Sequence, residues 1–250
     1  MDSLKTSRTR SSDNKTYADV FDKQTLLVIY DLMNAGYIDS LHYLISTGKE
    51  GNIFHIKDKN EKAYALKIFR SQTTTFKNIS KYIDGDPRFK GLSGSRRKII
   101  SAWANKEYRN LQRYSKNGIR VPKPIKCEKN CLLMEYIGDK DKPALKLKDA
   151  VIEKPTIVYK KVISFIIDGY KKAHLVHGDM SEYNILYWKG EPILIDCGQA
   201  ITADHLNSKE FLLKDIRNIN KFFENRDVKI IDDERILQKV LDGEKEDAIH

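Results

Sequence analysis

Cysteine is scarce in this chain, and the three residues present, Cys127, Cys131 and Cys197, are too few and odd in number to build a disulfide framework. No histidine lies near Cys127 and Cys131, so the nitrogen and sulfur set that zinc requires is not assembled locally. Reduced thiols packed in a cytosolic interior are the expectation. The segment Met1 to Lys15 is polar and basic, without the apolar stretch of a secretory leader. Nowhere does an apolar run approach the ~18 residues of a membrane helix. Proline is also rare: there are 6 residues, none of them after Asp196. These absences point to a cytoplasmic protein with no membrane partner.

Charge, by contrast, is plentiful. Charged residues make up 32% of the chain, with 45 Lys and Arg against 35 Asp and Glu, a formal net charge of +10. That excess favours an anionic partner, RNA or nucleotide rather than an acidic protein, and no DNA is called for. A solvated basic surface is the plainer alternative. With 250 residues, 40% of them hydrophobic, the chain can bury a core as one bilobal domain or two small ones.

Residues 1–17, rich in Ser, Thr, Lys and Arg, are expected to be disordered. A helix follows, capped by Asp22, with Leu26, Leu27, Ile29, Tyr30 and Met33 as its apolar face and Asn34-Ala35-Gly36 as its stop. Three strand-like runs, Leu41–Ile45, Ile53–Lys57 and Ala63–Phe69, are separated by turns of hairpin length. Residues 71–99 lose all periodicity and read as a flexible loop. A helix from about Ile99 to Lys116 stops at Asn117-Gly118. Val121-Pro122-Lys123-Pro124 is extended, and Cys131–Ile137 reads as a buried strand. Helices fit Thr156 to Ala173 (Ile157, Val158, Val162, Phe165, Ile166 and Tyr170 inward), Ser208–Asn225 and Asp232–Leu241. Strands early and helices late make an α+β chain in two lobes: 18–137 with the sheet and an N-terminal helix, and a reduced helical 138–250.

His177-Gly178-Asp179, followed by Asn184 and then by Asp196-Cys197-Gly198 after an apolar run, is the most specific pattern in the chain. Magnesium-dependent phosphoryl transfer needs this set: Asp179 to orient or deprotonate the acceptor, Asn184 and Asp196 to hold the metal. Hard oxygen ligands of this type suit Mg²⁺, or Mn²⁺ in its place. His177 reads as a residue that fixes the loop. Asp215 either holds that loop from below or is a helix-surface acid.

A matching nucleotide site is expected upstream, with an ordinary tight turn, a surface strand lysine and a rim glutamate as the plainer readings of the same residues. Ser46-Thr47-Gly48-Lys49-Glu50-Gly51-Asn52-Ile53 at the first hairpin turn keeps two of the three glycines of a phosphate-covering loop, whose backbone N–H groups should be free to donate. It is not a Walker A motif, since Tyr43 stands where the first glycine should be. Lys67 on the third strand is placed to meet nucleotide phosphates, and Glu107, in line with Trp103 and Leu111, is its candidate carboxylate partner. Met134, Glu135 and Ile137 are placed to line an adenine pocket. ATP is the cofactor this set implies.

Together these segments resemble the RIO family of atypical protein kinases, of the Rio-one type. The resemblance is carried by STGKEGN (Ser46–Asn52), Lys67, WANKEYRNL (Trp103–Leu111), LMEYIG (Leu133–Gly138), LVHGDMSEYN (Leu175–Asn184), IDCGQA (Ile195–Ala200) and KDIRNINKFF (Lys214–Phe223). It departs at Gly178, where the family often has Ala, and at Cys197. The absence of a winged-helix-sized segment ahead of the glycine loop sets it apart from the Rio-two type, and the short C-terminus is similar to archaeal members. The resemblance implies a protein-kinase-like fold and an ATP- and magnesium-dependent serine/threonine kinase or ATPase acting in small ribosomal subunit maturation, with the pre-ribosome and its rRNA as partners. It further implies release driven by ATP hydrolysis, through phosphorylation of Asp196, and autophosphorylation in the 71–99 loop. With no Ala-Pro-Glu motif after Asp196, an ordinary peptide-docking lobe is not expected. Two other classes use parts of the same set: a small-molecule kinase of the aminoglycoside or choline type, and an ATP-gated RNA-binding module with little catalysis.

Overall fold

A computed structural model describes residues 21–70, 95–140 and 142–242. The expectations for residues 1–17 and for most of the 71–99 loop lie outside them. The first helix, α1 (Lys23–Asn34), starts where Asp22 accepts a hydrogen bond from Thr25 N at 2.8 Å. Its buried face is Thr25, Val28 and Leu32, with Ile29 and Met33 alongside. Leu26, Leu27 and Tyr30, expected inward, are 49, 53 and 62% exposed. Hydrophobicity alone drew that stripe, whereas contact with the sheet selects the row of residues four apart.

Strands β1 (Ser40–Thr47), β2 (Gly51–Lys57) and β3 (Ala63–Phe69) form a meander. Helix α2 (Arg96–Lys116) begins earlier than the expected Ile99, so Arg96–Lys98 are helical rather than loop: Arg and Lys are good helix formers. Two further strands, β4 (Pro124–Glu128) and β5 (Cys131–Glu135), complete a five-stranded antiparallel sheet of order β1-β2-β3-β5-β4. The proline-led segment is thus an edge strand, the place in a sheet where a missing N–H costs least. Period-2 alternation gives β3 two faces. Leu66 and Ile68 pack under α1 with Phe54 and Leu133, while Ala65, Lys67 and Phe69 face α2.

Beyond β5 come three short strands, β6 (Gly138–Asp139), β7 (Lys142–Pro143) and β8 (Leu145–Lys146), and then α3 (Pro155–Lys171), with proline in its first turn. Ile157, expected inward, is 49% exposed; Tyr159 and Ile163 are buried beside the Val158, Val162, Ile166 and Tyr170 row. Strand β9 (Leu175–Val176) leads to the hairpin of β10 (Ile185–Trp188) and β11 (Glu191–Leu194), which turns on Lys189 and Gly190, both at positive φ. A 3₁₀ turn (Cys197–Gln199), strand β12 (Ile201–Thr202) and helices α4 (Ser208–Glu224) and α5 (Asp233–Leu241) follow. Helices α2 to α5 and the inner face of the sheet share one hydrophobic core. The β10–β11 hairpin aligns two of the candidate metal ligands. Its register, Ile185 opposite Leu194, sets Asn184 and Asp196 at the same open end.

The two faces of α1 make a direct test. Leu32→Ala, which empties a buried position, is expected to cost about 2–4 kcal/mol. Leu27→Ala is expected to stay within ~0.5 kcal/mol. Urea unfolding of the two variants checks the assignment.

Candidate active site

A cavity of about 870 Å³ opens between the sheet and the helical part of the chain. The turn Ser46, Thr47, Gly48, Lys49, Glu50, Gly51 with Ile53 forms its roof, Lys67 and Glu107 its back, and Met134, Glu135 and Ile137 one side. Asp179, Asn184 and Asp196 form the floor. Every sequence-derived site residue therefore lines one space except Asn52. That residue alternates away from the cleft between Gly51 and Ile53, fully buried, and its Oδ1 accepts from Arg70 Nη2 at 2.7 Å. Two more expectations change in detail. Gly48 N–H is not free, since it donates to Gly51 O at 2.8 Å and closes the turn. Glu135 offers only backbone to the cleft, because its carboxylate takes both terminal nitrogens of Arg120 at 2.8 Å each. Gly51 is required sterically: a Cβ there would lie 2.3 Å from Ile68 O.

The centre of the site is an ion cluster. Lys67 Nζ donates to Glu107 at 2.7 and 2.9 Å and to Asp196 Oδ1 at 2.8 Å. Glu50 contributes a third carboxylate, accepting from Trp103 Nε1 at 3.2 Å; ligand oxygens of Glu50, Glu107 and Asp196 all lie within 4.8 Å of one another. Burial works against the Lys67 ammonium, but Asp196, Glu107 and Glu50 outweigh it and hold it protonated above the ordinary lysine range. Burial lifts the Glu107 carboxyl to about 7 against the pull of Lys67. Burial and then the charge of Asp196 raise Glu50. Asp196 goes the other way, held low by Lys67 despite its burial. Lys67 thus faces three carboxyl groups, of which Asp196 is held ionised while burial pushes Glu107 and Glu50 toward the neutral form.

Asp196 itself sits in the left-handed region (φ 58°, ψ 51°), an unfavourable backbone for a residue with a side chain. The turn behind it is held by Asn110, fully buried on α2, which donates to Cys197 O at 2.8 Å and Ala200 O at 3.2 Å. Gly198 lets α2 approach: a Cβ there would lie 3.1 Å from Glu107 Oε2 and 3.2 Å from Trp103 Nε1. Sequence reasoning passed over Asn110. An amide next to Leu111 in the apolar stripe of a helix was the available signal.

The catalytic-loop residues are fixed from below. Asp215 accepts from Gly178 N at 2.8 Å and Met180 N at 2.7 Å, which settles its role as a loop holder rather than a surface acid. Burial lifts its carboxyl to about 6, with His177 and the two N–H donors opposing. His177 reaches Ile195 O through Nε2 at 3.1 Å, tying the loop to the segment before Asp196. Asn184 spends its NH₂ on Asp179 O at 2.8 Å and Asp179 Oδ2 at 3.1 Å. Those bonds leave its amide oxygen unspent, and with the Asp196 carboxylate it could supply the oxygen donor set that Mg²⁺ prefers.

The buried Glu107 should leave a signature in stability. Its folded pKa of about 7 lies above the ordinary 4.5, so between those values the folded state holds more proton than the unfolded state. This group's contribution is then fully present below pH ~4.5 and is lost as pH rises toward 7. Glu107→Gln removes that slope. Plotted against pH, the stability of the variant relative to wild type is expected to rise by roughly 1–3 kcal/mol across the window, whatever the constant offset. Chemical denaturation at a series of pH values measures it.

Comparison with known proteins agrees with this geometry. A family profile described as the RIO domain matches residues 52–236. The RIO-type serine/threonine-protein kinase Rio1 of Haloferax volcanii is 38% identical over 234 residues, spanning 94% of this chain and 80% of that protein. Its namesake in Methanocaldococcus jannaschii is 38% identical over 242 residues, 95% of this chain and 80% of that one. The human serine/threonine-protein kinase RIO1 is 35% identical over 92% of this chain, which spans 41% of the human protein. Among solved structures, the Rio2 kinase from Chaetomium thermophilum superposes with a TM-score of 0.68 at 24% identity, covering 84% of this chain and 66% of that one. The same kinase in an ADP/Mg²⁺-phosphoaspartate complex gives 0.66 at 24% identity, over 87% and 69% of the two chains. Those two likenesses establish the protein-kinase-like fold. The chain belongs to the RIO family and is a protein kinase of the RIO serine/threonine type.

Proposed function

We propose that this kinase uses ATP with Mg²⁺, or Mn²⁺, to phosphorylate serine or threonine and itself, and hydrolyses ATP in the course of small ribosomal subunit maturation. One observation carries the catalytic part: Lys67 bridges Glu107 at 2.7 Å and Asp196 at 2.8 Å across the back of a cleft that also holds Asp179 and Asn184. In this reading Lys67 meets the nucleotide phosphates and the Ser46–Gly51 turn covers them. Adenine lies against Met134. Glu135 N–H and Ile137 C=O are already engaged with Lys123 O and Ala144 N, both at 2.9 Å, so base contacts fall to the Glu135 carbonyl and the Ile137 N–H. Asn184 and Asp196 hold Mg²⁺, which neutralises phosphate charge when bound. Asp179 orients the acceptor and takes its proton.

The phosphoaspartate of the Rio2 complex supports Asp196 as an acceptor of phosphate in a hydrolytic cycle. A cytoplasmic pre-ribosome, with its rRNA, is supported by the family resemblance and by the +10 charge.

Asp179→Ala and Asp196→Ala are each expected to lower ATP turnover and self-labelling at least 100-fold while nucleotide still binds; undiminished turnover in either removes its role. Measuring wild type and Asp196→Ala with and without immature small subunits tests the cellular part, which predicts stimulation of the wild type alone. Association with small-subunit rRNA should weaken steeply between 50 and 200 mM salt, roughly in proportion to the phosphates contacted. Filter binding across that range reads it, and salt-independent binding would count against an rRNA partner.

A further inference from the structure

Helix α4 grips the catalytic loop with three residues from one face. Asp215 and Asn218 hold backbone: Asp215 takes Gly178 N and Met180 N, and Asn218 Nδ2 donates to Met180 O at 3.1 Å. The third, Lys214, reaches the reactive carboxylate itself. Its Nζ lies 3.4 Å from Asp179 Oδ1 and 3.5 Å from Gly178 O, and Asp179 is its ion-pair partner among the described residues. Lys214 is half exposed and is not part of the cavity wall to which Asp179 belongs. It therefore approaches Asp179 from outside the nucleotide cleft.

The two oxygens of Asp179 are in this way held from two directions, Oδ2 by the Asn184 amide at 3.1 Å and Oδ1 by Lys214. The terminal torsion of an aspartate is broad and roughly two-fold. One hydrogen bond fixes how far a carboxylate reaches but not the plane in which it lies; a second contact on the other oxygen fixes the plane. The 3.4 Å separation is too long for a strong hydrogen bond, so the restraint is mainly electrostatic and yields when an acceptor arrives. We infer that Lys214 is a positioning residue, setting the plane of the Asp179 carboxylate for the incoming hydroxyl without taking part in nucleotide binding. This rests on the reading of Asp179 as the acceptor-facing acid.

The test uses the full chain and the variants Lys214→Met, which removes the cation, and Lys214→Arg, which keeps it. Lys214→Met is expected to lower kcat about tenfold, the scale of a misoriented catalytic group, with KM for ATP and calorimetric ADP affinity within about twofold of wild type. Lys214→Arg is expected to recover to within about threefold. On an Asp179→Asn background, Lys214→Met should have no further effect, because the two residues act as one unit. Wild-type kcat in Lys214→Met overturns the inference. So does a loss that Arg does not restore, a proportional rise in KM, or an equal additional loss on the Asp179→Asn background. Wild type that transfers no phosphate to any acceptor, water included, overturns the reading of Asp179 and this inference with it, an outcome distinct from an active wild type whose Lys214→Met variant is equally active.

Discussion

The buried bridge from Lys67 to Glu107 and Asp196 joins three parts of the chain that share no local structure: a central strand, helix α2, and the turn after β11. Taking these charges out of water costs several kcal/mol per ion, and only mutual satisfaction offsets that cost. The arrangement is therefore conditional on fold. The sheet must present Lys67 on its inner face, α2 must pack with Glu107 toward it, and Asp196 must adopt a left-handed backbone. The last of these depends on Asn110 behind the turn and on the bare Cα of Gly198 beside it.

The same cluster explains the electrostatic character of the site. A lysine with one acid partner would form a neutral pair. Here Glu50 and Asp196 join Glu107, so three carboxyl groups gather beside one lysine that stays protonated. Under the proposed function, this gathering of acids favours polyphosphate accompanied by a divalent cation over the bare anion. On the other side of the cleft α4 supports the catalytic loop, with Asp215 and Asn218 on backbone and Lys214 on the carboxylate, while His177 and Asn184 brace it from within. One wall sets charge and the other sets orientation.

Much of this was legible in the chain because it is written in short-range patterns. Helix stops at Asn34 to Gly36 and at Asn117-Gly118, the hairpin turns, and the His177 to Asn184 spacing each reflect local geometry. The places where pattern reading failed have a common physical origin. Leu26, Leu27, Tyr30 and Ile157 are apolar yet exposed, because helix rotation is chosen by the surface a helix meets. Asn52 belongs to the nucleotide turn by position yet points out of the cleft, because strand alternation overrides motif membership. Arg96 to Lys98 are helical although their neighbours upstream carry no pattern.

What the amino-acid order by itself determined is the inventory and its chemistry: which acids, amide and lysine are available, on which elements they lie, and that their spacing matches the pattern of a phosphoryl-transfer set. Only the tertiary structure decided which of them meet. It paired Lys67 with two carboxylates rather than one, raised Glu107 while lowering Asp196, turned the Glu135 side chain onto Arg120, and brought Lys214 to Asp179. The reason is range. Secondary structure follows from residues a few positions apart, whereas burial, charge balance and the plane of a carboxylate are set by neighbours many tens of residues away, brought close only when the core packs.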